Sequence, residues 1–230
     1  MAEEITVFFQ GSTTASHTCI LMHGFGADAS DLMGLSSEIN TSKDLQFLFP
    51  QAPYDIQVAG SSYGTSWFPR TEDEIMQAFT GDYFMDLETK DPTDLSTSAI
   101  EMLGYIEKNA LNWSDLIIGG FSQGAMIAVE LALRAPVPPA ALVLLSGNFI
   151  ARDRWGALME EAMKRWGGSV KVPFFQSHGT MDPVLGVEGA EKLYDFLSNG
   201  QFEGELYSFY GGHEIPRDTL DELVQFINGL

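Results

Sequence analysis

Cysteine and long apolar runs are nearly absent from this sequence. Its single cysteine, Cys19, excludes a disulfide within the chain, and the apolar residues around it (TCILM) predict a buried, unreactive thiol. No run reaches the ~18 apolar residues that a membrane helix needs. The opening MAEEITVFF carries acidic residues where a secretory signal carries basic ones. We therefore expect a soluble, cytoplasmic protein without stable membrane insertion.

Basic residues are also scarce, which argues against several kinds of partner. The chain has 12 lysines and arginines against 32 aspartates and glutamates, a formal charge of -20. A charge of this sign repels nucleic-acid phosphates and anionic lipids, so we expect no nucleic-acid partner, and neutral or cationic substrates fit better. No group of histidines and acidic residues has the spacing of a metal site. We expect neither a metal nor another cofactor.

The apolar pattern predicts an α/β fold with a mostly parallel central sheet and helices on both faces. Short β-rich apolar runs alternate with longer helical patterns, which is typical of βαβ units. With 45% hydrophobic residues and no repeat or linker, residues 1–230 are expected to form one domain. The predicted strands cover residues 5–9, 18–22, 46–49, 116–119, 141–145, 172–176 and 205–209.

Two helices are indicated by their starting residues and their periodicity. Asp91 is the predicted N-cap of the first helix, with Pro92 in its first turn. Pro216 is predicted to begin the second, which closes the domain. The apolar face of the first comprises Leu95, Ala99, Met102 and Ile106; that of the second comprises Leu220, Leu223, Val224, Ile227 and Leu230.

A long stretch, residues 51–90, shows no regular pattern. Connections of this length inside a compact domain are usually functional, so residues 68–90 are predicted to form a lid or a pocket wall. Within them, residues 71–74 (TEDE) form a capping box before a short helical pattern that includes Met76 and Phe79. These two side chains either line the substrate pocket or pack against a neighbouring helix.

The sequence GFSQG at residues 120–124 predicts a nucleophile, Ser122. It matches G-x-S-x-G between the apolar strand 116–119 and the helical run 125–134, which is the context that the nucleophile turn requires. Flanking glycines permit a tight, strained turn that exposes the hydroxyl, and the helix presents its positive end to developing negative charge. The alternative is a glycine-rich packing turn with an incidental serine.

A serine hydroxyl needs a base, and the candidates are the four histidines. His213 follows the last predicted strand in the turn YGGH, where glycines allow its ring to reach the edge of the sheet. The alternative is that it only caps the next helix. We expect structural roles for His178, at the end of the strand 172–176, and for His23, in the first loop.

The acid should lie between the nucleophile and the histidine in chain order. Two aspartates satisfy this order. Asp182 follows the strand 172–176 in a short turn stiffened by Pro183, whereas Asp153 is flanked by two arginines and resembles a solvated helix start. Asp182 is the preferred partner for His213, with Asp153 as the alternative.

Two backbone N–H groups are expected to form an oxyanion hole. One belongs to Gln123, the residue after the nucleophile. The other belongs to Phe25, in the turn HGFG (residues 23–26) that ends an early strand. His23 is then expected to support this loop.

The ordered set of motifs resembles the carboxylesterase, lysophospholipase and acyl-protein thioesterase family. The matching segments are residues 23–26 (HGFG), 49–53 (FPQAP), 66–68 (SWF), 119–124 (GGFSQG), 178–183 (HGTMDP) and 212–213 (GH). The resemblance implies an α/β-hydrolase fold, a triad of Ser122, Asp182 and His213, and oxyanion donors at Phe25 and Gln123. The family usually has an acidic residue after Trp-Phe or Trp-Tyr, whereas here Pro69 and Arg70 follow. Trp67 is either a pocket wall or a core residue.

These residues predict hydrolysis of a small-molecule ester or thioester through an acyl-enzyme. The first hypothesis is a carboxylesterase of small to medium acyl chains. The second is a lysophospholipase or acyl-protein thioesterase acting on long chains, which would need an open groove. The third is a binding module that keeps the fold without the chemistry.

Overall fold

The computed structural model describes residues 5–58, 61–71 and 87–230. The strands are β1 (Val7–Gly11), β2 (His17–Met22), β3 (Leu45–Pro50), β4 (Tyr54–Val58), β5 (Ser61–Ser66), β6 (Leu116–Phe121), β7 (Ala141–Leu145), β8 (Val172–Gly179) and β9 (Phe202–Phe209). The helices are α1 (Leu35–Glu38), α2 (Thr93–Lys108), α3 (Gln123–Arg134), α4 (Arg152–Trp166), α5 (Val187–Ser198) and α6 (Arg217–Gly229). None of the described helices is long and apolar enough to cross a bilayer.

Seven strands form one sheet in the order β1-β3-β2-β6-β7-β8-β9. The strand β1 is antiparallel to β3, and every other pair in this sheet is parallel. All seven predicted strands are present, which confirms the mostly parallel sheet. Five of them are longer than predicted, and the largest extensions are in β8, which continues to Gly179, and β9, which begins at Phe202.

Helices cover both faces of this sheet, as predicted. In β2, Ile20 and Met22 pack in an apolar cluster with residues of α2 to α5, while Cys19 and Leu21 pack in a second cluster with residues of α6. Such double burial is typical of parallel strands. Cys19 is buried, and burial raises the pKa of its thiol to about 12.

The helix α2 has the predicted apolar face but not the predicted N-cap. Its predicted face, Leu95 to Ile106, is buried. Pro92, rather than Asp91, occupies the N-cap position with an extended backbone. The Asp91 carboxylate instead lies 2.8 Å from the guanidinium of Arg154, so it is used in an ion pair with α4. The helix α6 follows Pro216 as predicted and buries Leu220, Leu223 and Ile227.

A hairpin of β4 and β5 occupies part of the stretch that was predicted to be irregular, so that prediction was wrong for this part. Tyr54 pairs with Ser66, and Asp55 with Thr65. Both backbone groups of Thr65 bond to the early loop: its N–H to Ala27 O (2.9 Å) and its C=O to Gly26 N (3.0 Å). The hairpin therefore docks on the HGFG turn. The predicted helix with Met76 and Phe79 lies outside the described residues.

Candidate active site

Ser122 stands at a sharp turn between β6 and α3. Its backbone angles are φ 56° and ψ −117°, a conformation that costs a residue with a side chain on the order of 1–3 kcal/mol. Its N–H donates to Leu145 O at 2.8 Å, which anchors the turn to the next strand. A strained turn of this kind lifts the serine side chain away from the sheet, as the motif predicted.

The glycines at positions 120 and 124 are explained by close packing around this turn. A Cβ on Gly120 would lie 2.4 Å from the carbonyl carbon of Gly124, and one on Gly124 would lie 2.0 Å from Met22 O. Neither space is large enough for a methyl group. The start of α3 is therefore pressed against the end of β2, which brings the HGFG turn close to Ser122.

Three side chains from the ends of β6, β8 and β9 form a hydrogen-bonded chain. The Ser122 hydroxyl lies 2.9 Å from Nε2 of His213, and Nδ1 of His213 lies 2.7 Å from Oδ2 of Asp182. The structure thus brings together the three predicted residues. An imidazole between a hydroxyl and a carboxylate at these distances can accept a proton from the hydroxyl while the carboxylate stabilises the resulting charge.

The Asp182 carboxylate is prepared to stay charged. Burial alone would raise its pKa, but the hydrogen bonds from His213 and from the backbone of Leu185 and Val184 outweigh burial and lower the pKa. The N–H groups of Val184 and Leu185 donate to Oδ1 at 2.8 and 2.9 Å. The other oxygen, Oδ2, is left to face His213.

The alternative acid, Asp153, lies elsewhere. It is in the first turn of α4, where its side chain is fully exposed and its nearest cation is the adjacent Arg152, at 3.8 Å. Of the two aspartates that the chain order allowed, Asp182 is the one that contacts His213.

His23 and His178 are held in structural contacts. His23 donates from Nδ1 to Gly24 O (2.8 Å) and accepts the N–H of Ala52 at Nε2 (3.2 Å), so both ring nitrogens are used. His178 donates from Nε2 to Leu185 O at 2.8 Å. Burial lowers the pKa of both rings. These contacts agree with the structural roles expected for both residues.

The two segments that carry the predicted oxyanion donors adjoin Ser122. A Cβ on Gly24 would lie 3.3 Å from the Ser122 Cβ, so the turn that carries Phe25 adjoins the serine. Gln123 is the first residue of α3, and the first N–H groups of a helix have no acceptor within the helix. Both segments are therefore next to Ser122.

Trp67 is a core residue. Its side chain has no exposed surface, and its indole N–H donates to His23 O at 2.9 Å. The sequence left two roles open for Trp67, a core residue or a pocket wall. The structure supports the core role. The Trp67 indole holds the HGFG turn in place through the hydrogen bond to His23 O.

The side chain of Gln123 has a role that sequence reasoning missed. Its Oε1 accepts the N–H of Trp67 at 2.8 Å, and its Nε2 donates to Phe68 O at 2.9 Å. This buried amide joins the start of α3 to the segment after β5. A polar residue at the buried start of a helix is a signal that could have suggested such a contact.

A cavity of about 390 Å³ lies beside the loop that carries the acid. Asp182, Pro183 and Val184 form part of its wall. Three charged residues, Glu88, Glu188 and Lys192, also line it, and Lys192 lies 3.1 Å from Glu88. The cavity is therefore a mixed polar and apolar space whose lining includes Asp182 but neither Ser122 nor His213.

Comparisons with known proteins identify the family. The model of the Phospholipase/Carboxylesterase family matches residues 3–230. Acyl-protein thioesterase 1 of Saccharomyces cerevisiae is 29% identical over 226 residues, which covers 93% of this chain and 92% of the relative. The enzyme of that name from Debaryomyces hansenii is 25% identical over 228 residues, with 93% and 91% covered.

Solved structures give the same fold. Esterase PE8 superposes with a TM-score of 0.74 at 25% identity and covers 99% of both chains. Acyl-protein thioesterase 2 of Zea mays superposes with a TM-score of 0.71 at 20% identity, covering 97% of this chain and 98% of its own; at this identity it shows the fold alone. The chain belongs to the phospholipase/carboxylesterase family of α/β hydrolases.

Proposed function

We propose that this protein is a serine hydrolase that cleaves carboxylic esters of small to medium acyl chains through an acyl-enzyme. The observation that carries the proposal is the hydrogen-bonded chain from Ser122 through His213 to Asp182, at 2.9 and 2.7 Å, on a strained strand-to-helix turn. Ser122 is the nucleophile, His213 the general base and Asp182 the acid that orients it.

The first half of the reaction forms the acyl-enzyme. Nε2 of His213 removes the hydroxyl proton of Ser122 as Oγ bonds to the ester carbonyl carbon. The carbonyl oxygen becomes negative, and the N–H groups of Phe25 and Gln123 stabilise it. The imidazolium that forms is stabilised by the charged Asp182, which does not itself take the proton. His213 then gives its proton to the leaving alcohol or thiol, and the bond from carbon to that group breaks.

The second half repeats these steps with water. Water takes the place of the leaving group and gives a proton to His213 as its oxygen attacks the acyl carbon. The bond to Ser122 Oγ breaks, and Oγ regains a proton from His213. A carboxylic acid is released, and the proton count of the enzyme is unchanged. No step draws on a metal or cofactor.

If the acyl group extends into the cavity beside Asp182, the charged lining of that cavity favours smaller acyl groups. Its lining includes Glu88, Glu188 and Lys192. Packing a long alkyl chain against charged groups would remove their water without replacing its hydrogen bonds, which costs free energy. A short acyl group leaves room for that water.

A second candidate function is the removal of long acyl chains from lysophospholipids or S-acylated proteins. It is favoured by the names of the relatives, since acyl-protein thioesterase 1 of Saccharomyces cerevisiae matches over 93% of this chain. Sequence prediction adds Met76 and Phe79 as pocket residues. If they cover the acyl chain, replacing both with alanine should shift the preferred chain length while thermal stability changes little.

A chain-length series tests these alternatives. p-Nitrophenyl esters and matched acyl thioesters, from acetyl to palmitoyl, are compared by kcat/KM, with the Ser122→Ala protein as the control for background hydrolysis. The proposal expects a maximum among the shorter esters. A maximum at palmitoyl thioester supports the second candidate. If no hydrolysis depends on Ser122 and the protein does not react with a fluorophosphonate probe, both candidates are rejected. The remaining hypothesis is then a non-catalytic binding module.

We also propose that residues 1–230 form a single domain, which acts in the cytoplasm on small-molecule substrates. Its charge of -20 supports neutral or cationic substrates over anionic ones.

A further inference from the structure

His178 is a buried imidazole that the reaction above does not use. It lies near the end of β8, four residues before Asp182, and its side chain has no exposed surface. Nε2 lies 2.8 Å from Leu185 O and 3.4 Å from Oδ2 of Asp182. The ring is therefore inside the loop that carries the proposed acid.

The contacts of Leu185 connect this ring to the acid. The N–H of Leu185 donates to Oδ1 of Asp182 at 2.9 Å, while its C=O accepts from His178. One residue of the loop thus bonds to the carboxylate on one side and to the imidazole on the other. A change at His178 would free the carbonyl of Leu185 and weaken one of the two N–H contacts that hold this carboxylate oxygen; the other comes from Val184.

The second carboxylate oxygen lies between two imidazoles. Oδ2 of Asp182 is 2.7 Å from Nδ1 of His213 and 3.4 Å from Nε2 of His178. Rotation of the carboxylate away from His213 would break the contacts of both oxygens at once. His178 therefore adjoins the Asp182 carboxylate and is hydrogen-bonded to it through Leu185.

His178 is uncharged and donates a hydrogen bond to Leu185 O. Burial lowers the pKa of His178, so the ring is neutral at neutral pH. A carbonyl oxygen can only accept, so Nε2 carries the proton. Among the described residues, the ionisable groups that act on this ring are Asp182 and His213. A neutral donor restrains the carboxylate without competing with the charge that develops on His213.

We propose that His178 is a positioning residue, which holds the Asp182 carboxylate in the orientation that His213 requires and affects the reaction only through Asp182. The proposal rests on the triad of the proposed function.

A double-mutant cycle tests this role. His178→Phe keeps a ring but removes the N–H, whereas His178→Gln keeps an N–H donor near the position of Nε2. Each is made in the wild-type protein and in Asp182→Asn, and kcat/KM is measured on one short p-nitrophenyl ester. In the wild type we expect His178→Phe to lose about tenfold to a hundredfold, the range for a misaligned hydrogen bond between His213 and the charged Asp182. His178→Gln should stay within about threefold of the wild type.

The Asp182→Asn background separates positioning from general structure. If His178 acts through Asp182, His178→Phe should cost less than about twofold there, because the interaction that it supports is already lost. His17→Phe is the matched control, because His17 lies at the start of β2 and contacts the hydroxyl of Ser16. This substitution should leave kcat/KM unchanged both in the wild-type protein and in Asp182→Asn. An equal loss from His178→Phe in both backgrounds, or no loss in the wild type, overturns the proposal.

Further variants keep the test valid if His178→Phe does not fold. The side chain in His178→Asn is shorter, so its amide does not reach Leu185 O. This variant should therefore lose activity as His178→Phe does, whereas His178→Gln should keep it. Equal activity of the Asn and Gln variants overturns the proposal. In 15N NMR spectra His178 should remain the neutral Nε2–H form at neutral pH. Full activity of the Asp182→Asn single variant would instead reject the triad itself. The test therefore distinguishes failure of the triad from failure of the positioning role of His178.

Discussion

Trp67 joins the two turns that carry the proposed oxyanion donors. Its indole N–H donates to His23 O at 2.9 Å, two residues before Phe25, and its backbone N–H donates to the side chain of Gln123 at 2.8 Å. The relative position of the two donors therefore depends on one buried residue, through its indole on one side and its backbone on the other. An oxyanion hole works only when its donors are held where the charge will develop.

Replacing Trp67 with Phe should lower kcat about tenfold with little change in KM, less than the ~100-fold or more that loss of a whole donor costs. Steady-state kinetics on a short ester measures this effect. The matched control is Trp166→Phe, because the Trp166 indole is also buried and bonds to a carbonyl, Ala135 O, at 3.0 Å. Equal losses of kcat in both variants would mean that Trp67 matters only for stability.

Ser122→Ala should lower hydrolysis by roughly a thousandfold or more, because the nucleophile is removed from a group of residues that act as a unit. The fold should survive, since the change removes one oxygen and the N–H to Leu145 O remains. Circular dichroism and ester hydrolysis by the same preparation measure both. A folded variant with nearly full activity would refute the assignment.

Asp182→Asn should cost on the order of a thousandfold to ten-thousandfold in kcat, because an amide cannot stabilise the imidazolium or hold the right tautomer. Asp153→Asn is the control and should cost less than about twofold, since its side chain is solvated. Both are assayed on the same ester. Comparable losses would show that the acid has been assigned to the wrong strand.

The rate should rise with pH near neutrality, because the base must be neutral to accept the serine proton. The curve should show a single step. Burial lowers the pKa of His23 and His178, and hydrogen bonds outweigh burial in lowering that of Asp182, so these groups should not add steps near neutrality. A pH profile of kcat/KM measures this, and a rate that falls between about pH 6 and pH 8 would contradict it.

The free energy of unfolding should decrease as the pH falls below about 6.5, the ordinary pKa of histidine in an unfolded chain. The reason is that burial lowers the pKa of His23 and His178 in the folded protein, so the unfolded state binds protons first. The stability from keeping these rings neutral is complete above that pH and is lost as the pH falls through the folded-state values. Urea unfolding between about pH 8 and pH 5 measures the slope, which His178→Gln should reduce. An unchanged slope would contradict the neutral state of this ring.

The predictions that the sequence supported by itself concern local patterns. Strands such as β7 are apolar runs bounded by turn residues, so their place follows from periodicity. The turn at Ser122 was predictable because strand, glycines, serine and helix are adjacent in the chain. His213 and Asp182 followed from chain order and from glycine- or proline-containing turns after strands.

Other features were decided only by tertiary structure, because they depend on groups that are far apart in sequence. The strand β5 is mostly polar and gives no apolar pattern; it exists because it pairs with β4 and docks on Gly26 and Ala27. Trp67 became a core residue because His23 and Gln123 meet it from segments 44 and 56 residues away. The Asp91 carboxylate, predicted to cap its own helix, forms an ion pair with Arg154 on another helix. The sequence favoured Asp182 but left Asp153 open, because chain order allowed both; the contact of Asp182 with His213 decided between them. Periodicity determines which face of an element is buried, whereas the pairing of polar groups depends on how those elements pack.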